Sequence, residues 1–299
     1  MRISTANSYD DAIDSLTRRH RALSESQEQL TSLKRVNRAS DDPTAAARAE
    51  RALASLQRTQ SELRGVEASR VAMTQIESAL GEGGELLQQA REALVSAGNG
   101  SYSDAERKVL AQQLRAVREQ LLATANRGDG SGGYLFGGQG SATPPFIDGA
   151  GGVTYNGSSG QAQAATRDGL PLNADGQATW LAAPDVFELL ADAATDLETT
   201  GRTQAQIAQT NAAALQDVDA VLARVQLVRS EAGEVLNRIE GVASRLADDE
   251  VAAKTERSNA EDLDMVKAVS EFQNQQTSYD AALKSYALVQ RMSLFTYLS

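Results

Sequence analysis

The 299-residue sequence predicts a mainly α-helical protein with a β-rich insertion. The expected architecture is a long antiparallel helical hairpin, a coiled-coil rod whose helical termini pair and whose small β domain lies at the far tip. Three observations predict it. Apolar residues at both ends recur in steps of three and four, the period of a helix lying against another helix. The segments joining these ends to the centre are long and almost free of Pro. Gly and Pro gather in the centre instead: residues 128–176 hold 14 of the 23 Gly and three of the five Pro, so the architecture changes there.

Residues 1–9 read as polar and irregular. Ile13, Leu16, His20, Leu23, Gln27 and Leu30 then predict a helix over about 10–36. The stretch from Asn37 to Pro43 stops it. Asp42 is suited to cap the next helix, with Pro43 at its first position, where a missing N–H costs nothing. Leu53, Leu56, Leu63, Val66, Met73, Ile76 and Leu80 predict a long helix over 44–97. Gly81, Gly83 and Gly84 weaken it by about 1 kcal/mol each relative to Ala, so a kink or soft point is expected there. Gly98-Asn99-Gly100 ends it. Ser103 and Glu106 form a capping-box pair for a shorter helix to about Arg127, marked by Leu110, Leu114, Val117 and Leu121.

Short β-type runs follow at Tyr134–Phe136, Phe146–Ile147, Val153–Tyr155, Gln163–Arg167 and Thr179–Leu181, separated by turn dipeptides such as Asn156-Gly157 and Asp168-Gly169. Few of these residues are apolar, so the insertion is expected to lean on the helices. Asp185 with Glu188, and Thr203 with Gln206, are capping pairs on either side of a break at Gly201. Leu215, Val218, Leu222, Val225, Arg229, Ala232, Leu236, Ile239, Ala243 and Leu246 step three and four without a miss. A helix over 203–256 would be roughly 80 Å long. Ser258 with Glu261 reads as the cap of the terminal helix, whose seam is Met265, Val269, Phe272, Gln276, Tyr279, Leu283, Tyr286 and Gln290. The expected segments are therefore 1–43, 44–133, 134–183, 184–257 and 258–299.

Composition narrows the function. The net charge of −11 argues against a nucleic-acid binder, which needs a basic face to displace counterions from phosphate. The chain has no Cys, which removes disulfides and thiolate chemistry, and its single His removes a multi-His metal site. No apolar run of about 18 residues is present to insert in a membrane, and no apolar core marks an ordinary secretory signal near Met1. Asp41-Asp42 is explained by a helix start rather than a metal pair. Gly128–Gly133 lacks the Lys-Ser/Thr and the strand–helix frame of a phosphate loop. His20 has no partner placed by sequence for acid–base work. No catalytic constellation emerges, and neither an enzyme activity nor a cofactor is expected.

Leu33-Lys34-Arg35-Val36-Asn37-Arg38-Ala39-Ser40-Asp41-Asp42-Pro43 resembles the N-terminal signature of the bacterial flagellin superfamily. The Gln-rich last helix and the closing Ser293-Leu294-Phe295-Thr296-Tyr297-Leu298 resemble that superfamily's C-terminal helix. Gly133-Tyr134-Leu135-Phe136-Gly137-Gly138, the following Pro144-Pro145-Phe146, and Glu261-Asp262-Leu263-Asp264 resemble its hook-associated branch, at the hook–filament junction, rather than flagellin. Leu33 departs from a pattern that often has Gly. The signature residues are Arg35, Asn37, Ser40, Asp41, Asp42, Pro43, Tyr134, Leu135 and Phe136.

The resemblance implies a structural subunit that is exported unfolded by the flagellar type III apparatus, with an export chaperone, to the extracellular flagellum. It implies a ring of copies between the other hook-associated junction protein and flagellin. Its assembly residues are expected to be Ile13, Leu16, Leu23, Leu30, Met265, Val269, Phe272, Tyr279, Leu283 and Leu294. The alternatives are flagellin itself, which only the 133–146 segment opposes, and a secreted coiled-coil binding module, which leaves both terminal motifs unexplained.

Overall fold

A computed structural model describes the backbone of residues 2–140 and 142–298, and the side chains of residues 10–140 and 142–288. Six long helices and one small antiparallel sheet make up the described elements: α1 (Arg2–Ser32), α2 (Pro43–Ala97), α3 (Asp104–Ala125), β1 (Phe146–Gly149), β2 (Gly152–Tyr155), α4 (Val186–Glu198), α5 (Gln204–Glu261) and α6 (Met265–Leu298). The mainly helical class with a β-rich insertion holds. The chain forms two compact units. One comprises residues 1–59 and 248–299, the other residues 60–247.

The unit of residues 60–247 carries the main core. Val66, Met73, Ile76 and Leu80 of α2 are buried, as are Leu114, Val117 and Leu121 of α3. Val218, Val225, Ala232, Ile239 and Leu246 of α5 are buried too, with Leu215, Leu222 and Leu236 packed against them. The three- and four-residue spacing is thus the core-facing stripe of each helix. The glycines of α2 do not interrupt it. A Cβ on Gly83 would lie 2.6 Å from the ring of Trp180, so the missing side chain makes room for a fully buried indole.

Helix ends follow side-chain capping. The Ser103–Glu106 capping box is complete. Asp185 accepts from the N–H of Phe187 (2.8 Å) and Glu188 (3.3 Å). Thr203 and Gln206 cap each other's backbone N–H groups. Gly201 sits at φ +75° between them, a conformation that Cβ-bearing residues resist.

Only two of the five β-type runs form a regular ladder, with Phe146 paired to Tyr155 and Gly149 to Gly152. Tyr134 and Gln163 make isolated bridges. Thr179–Leu181 is not a strand but the end of a π-helical turn, Gln177–Leu181. Asp175 builds this turn: its backbone oxygen accepts from Thr179 N (3.1 Å) and Oγ1 (2.7 Å), and its carboxylate from Ala178 N (3.1 Å). The turn drives Trp180 into the core edge-on to Phe136, with ring centroids 5.5 Å apart. Phe146 similarly meets Phe187 of α4 at 6.0 Å. The insertion does lean on the helices.

Candidate assembly surface at the terminal helices

In the unit of residues 1–59 and 248–299, α1 and α6 pack against each other and two loops join them to α2 and α5. The first loop turns at Leu33, whose φ of +60° is the left-handed conformation that favours Gly. A Gly, as in the pattern from which Leu33 departs, would adopt this conformation without strain. Leu33 O accepts from Leu263 N at 3.1 Å, Arg35 N donates to Glu261 O at 2.7 Å, and Lys34 pairs with Asp262 as an antiparallel bridge. The Arg35 guanidinium donates to Ala260 O (2.8 Å) and reaches Asp42 Oδ2 (3.3 Å). Glu261 also bridges Lys34 Nζ (3.2 Å) and Arg257 Nε (2.7 Å).

The remaining signature residues shape the same clasp. Asp41 Oδ2 accepts from the N–H groups of Asn37 (3.0 Å) and Arg38 (2.9 Å), and its other oxygen accepts from Ser40. The backbone bond from Arg38 is the main reason its carboxyl is held below the ordinary range. Asp42 accepts from Thr44 N (3.1 Å) and Ala45 N (3.0 Å) ahead of Pro43, so it is the N-cap of α2. Its carboxyl is also lowered, by the Ala45 bond first and Arg35 next. The first helix therefore ends at Ser32, not near Val36, because residues 33–36 bond to 260–263 instead of continuing the helix.

Two sequence expectations fail here. Ser258 does not cap the last helix: α5 runs on to Glu261. Asp264 caps α6 instead, accepting from Val266 N (3.1 Å) and Lys267 N (3.2 Å). Residues 261–263 are held in α5 and the clasp, so α6 starts after them, at the cap Asp264.

The α6 seam also differs. Its half-buried or buried side is Ala268, Phe272, Gln275, Tyr279, Ala282 and Tyr286, an unbroken four-three repeat. Phe272, Tyr279 and Tyr286 are shared with the expected seam, whereas Met265, Val269, Gln276 and Leu283 are exposed. Both patterns are legitimate heptads on one helix, because apolar residues cover more than one face. On α1, Leu16, Leu23 and Leu30 are half-buried and Ile13 is 48% exposed. Leu294, Gln290, Phe295 and Tyr297 lie outside the residues whose side chains are described. His20 is exposed, with its ring 5.7 Å from that of Tyr279.

Sequence reasoning missed Val266, which is 82% exposed, and Leu288, which is 60% exposed. Their signal was present: they are apolar positions lying off any single heptad. The remaining signature residues lie in the other unit. Leu135 and Phe136 are fully buried, and Tyr134 is half-buried, so this motif packs a core. Among the described residues, no group of three or more His, Asp or Glu could hold a metal ion, and no helix is long and apolar enough to cross a membrane.

Comparison with known proteins agrees with the geometry. Residues 3–141 match the bacterial flagellin N-terminal helical region, and residues 215–298 its C-terminal helical region. Flagellar hook-associated protein 3 of Salmonella typhimurium is 30% identical over 318 aligned positions, covering 99% of both chains. The Escherichia coli protein of the same name is 30% identical over 314, again covering 99% of each. A putative flagellar hook-associated protein from Vibrio parahaemolyticus shares the fold, with TM-score 0.68, 18% identity, 74% of this chain and 100% of that one covered. FlgL of Xanthomonas campestris does so with TM-score 0.61, 20% identity and coverage of 70% and 99%. The flagellar junction protein FlgL of Legionella pneumophila follows at TM-score 0.56, 18% identity, 62% and 96% covered. The chain belongs to the bacterial flagellin superfamily and, within it, to the family of flagellar hook-associated protein 3.

Proposed function

We propose that this protein is the hook–filament junction subunit of a bacterial flagellum, a structural element without catalytic activity. A ring of its copies would bind the neighbouring hook-associated junction protein on one side and flagellin on the other, outside the cell. It would reach that place through the flagellar type III export apparatus, attended by an export chaperone. The segments 1–43 and 258–299 would form the coiled coil through which copies assemble, 44–133 and 184–257 the two halves of a helical rod, and 134–183 a β-rich insertion.

One observation supports this most. α6 carries Phe272, Tyr279 and Tyr286 on the side that meets α1, yet Met265, Val266, Val269, Leu283 and Leu288 on its exposed sides. A helix that is apolar on several faces needs more than one neighbour. Copies of the chain would supply the missing surface, and burial across several contacts would offset the entropy of ordering the ends. Ile13, Leu16, Leu23, Leu30 and Leu294 would belong to the same assembly surface. The clasp of Arg35, Asp41 and Asp42 would set the angle at which it is presented.

The test is deletion of the gene in its native bacterium, with electron microscopy of flagella and an assay of flagellin in the medium. Complete hooks without filaments, together with shed unpolymerised flagellin, are expected. Hooks with neither filaments nor shed flagellin would identify the chain as flagellin. Normal flagella would sink the junction reading.

A further inference from the structure

In the unit of residues 60–247, α4 and α5 border an open groove of about 600 Å³. Leu181, Leu189, Ala193 and Ala214 give it an apolar lining. Its rims are acidic. Asp185, Glu188, Asp192 and Asp196 step three, four and four along α4, a row roughly 16 Å long, and Asp217 stands on the α5 side. Asp196 is paired with Arg202 at 3.2 Å, and Asp185 caps α4. Among the described residues, no ion pair reaches Glu188, Asp192 or Asp217. Like charges four residues apart destabilise a helix, so Glu188 and Asp192 oppose folding rather than support it.

A second observation is independent of charge. Asn211 is 7% exposed, and its Nδ2 donates to Leu94 O at 2.6 Å. A carbonyl oxygen can only accept, so the amide nitrogen must face Leu94 and Oδ1 points away from it. That Oδ1 is buried and has no hydrogen-bond partner among the described residues. Asn211 borders a space of about 10 Å³ whose walls include Ala193, Asp196, Thr210 and Ala214, which also line the groove. The space holds about one water-sized group, and the orphaned acceptor asks that this group be a donor.

We propose that the groove between α4 and α5 binds a linear aliphatic polyamine. Its methylene chain lies on the apolar lining, its charged nitrogens meet Glu188, Asp192 and Asp217, and one terminal ammonium donates to Asn211 Oδ1. An ammonium is the size of a water, whereas a planar guanidinium is too large for the space. The carboxylates are spread along the groove, and among the described residues no three of them gather to hold a metal ion. A peptide in the same place would lay backbone N–H and C=O groups over apolar surface without partners.

The test is isothermal titration calorimetry of the full-length protein with spermine, and one equivalent per chain is expected. Asp192→Asn combined with Asp217→Asn should weaken binding about tenfold. Asp248→Asn combined with Asp249→Asn, at exposed positions of α5 outside the groove, removes the same charge and should weaken it less than about twofold. Ala213→Leu fills the groove from an exposed wall position without changing charge, and should remove the one-site heat. Spermine ethylated on both terminal nitrogens is too bulky for the space at Asn211 and should bind more weakly. Equal losses in the two Asn pairs would reduce the binding to diffuse attraction by an acidic chain and overturn the site, as would no binding at all. Unchanged affinity for the ethylated tetraamine would overturn the seat at Asn211. A peptide of four lysines that binds more tightly than spermine would overturn the polyamine and give the groove to the lysines of a protein partner.

Discussion

Val266 separates assembly from ordinary packing within one chain. It is 82% exposed in the single chain, so Val266→Ser removes little buried area there. Valine and serine have similar helix propensities, and the change should shift unfolding stability by no more than about 0.5 kcal/mol. Assembly is different. Burying a whole valine side chain contributes about 1.5–3 kcal/mol, and most of this side chain is still available to be buried. The variant should therefore weaken association by about 1.5–2 kcal/mol per subunit, or about 10–30-fold. The assay places the gene under a graded promoter in a deletion strain and counts filaments per cell against the amount of exported protein. The variant should need about 10–30 times more protein for half-maximal filament number, with correspondingly more flagellin shed. Lys267→Gln, one residue on, keeps an aliphatic stem under a polar head and should behave as the parent. Full activity of Val266→Ser at parental expression would refute the claim that this face is buried on assembly. An equal loss in unfolding stability would show that Val266 packs within the chain instead.

Leu33→Gly removes a side chain from a φ of +60°, and should raise stability by up to about 1 kcal/mol after the glycine's greater unfolded entropy is allowed for; denaturant unfolding followed by circular dichroism measures it, and a loss would contradict the strain argument. Gly83→Ala sets a helix-propensity gain of about 1 kcal/mol against an overlap with Trp180 costing about 1–3 kcal/mol, so it should be neutral to destabilising and should alter the emission of the chain's one Trp. A gain with unchanged emission would be the wrong sign. Asp264→Ala should cost about 1 kcal/mol and fray the start of α6 in hydrogen exchange, while Ser258→Ala should not. The Arg118 guanidinium bonds both oxygens of Asp148, chiefly through hydrogen bonding, and holds that carboxyl below its ordinary 3.8; Arg127 does the same to Glu82, below 4.5. Depressed carboxylates contribute stability above their unfolded values and lose it as pH falls through the folded ones. Acid titration of Trp180 emission should therefore show stability declining below about pH 4.5, with a shallower decline in Arg118→Met; identical acid profiles would remove the pair from that account.

Much of this was legible locally. Ser103–Glu106, Asp185, Thr203–Gln206 and Asp42–Pro43 could be read as helix starts because a cap and the N–H groups that donate to it lie within three residues of each other. The apolar stripe from Leu215 to Leu246 was legible for the same kind of reason, since helical spacing alone assigns a face. Thr179–Leu181 was misread because Thr179 and Trp180 favour strands individually, while the turn depends on Asp175, outside that window. Ser258 with Glu261 looked like a cap by spacing, but those residues stay helical, and Glu261 is occupied by Arg35, Lys34 and Arg257.

The sequence by itself determined the helical class, the caps, the central insertion and the superfamily, because each rests on interactions among near neighbours or on a contiguous motif. Tertiary structure decided which of two overlapping heptads on α6 is the packed one: Ala268, Gln275 and Ala282 are buried or half-buried, with Gln275 against Ser26, while Met265, Val269 and Leu283 are exposed. It also decided what Arg35 does, because its partners Ala260 and Glu261 lie more than two hundred residues away along the chain, whereas Asp41 and Asp42 bond within their own loop. Spacing can name the candidates for a seam, but only the neighbour across it selects among them.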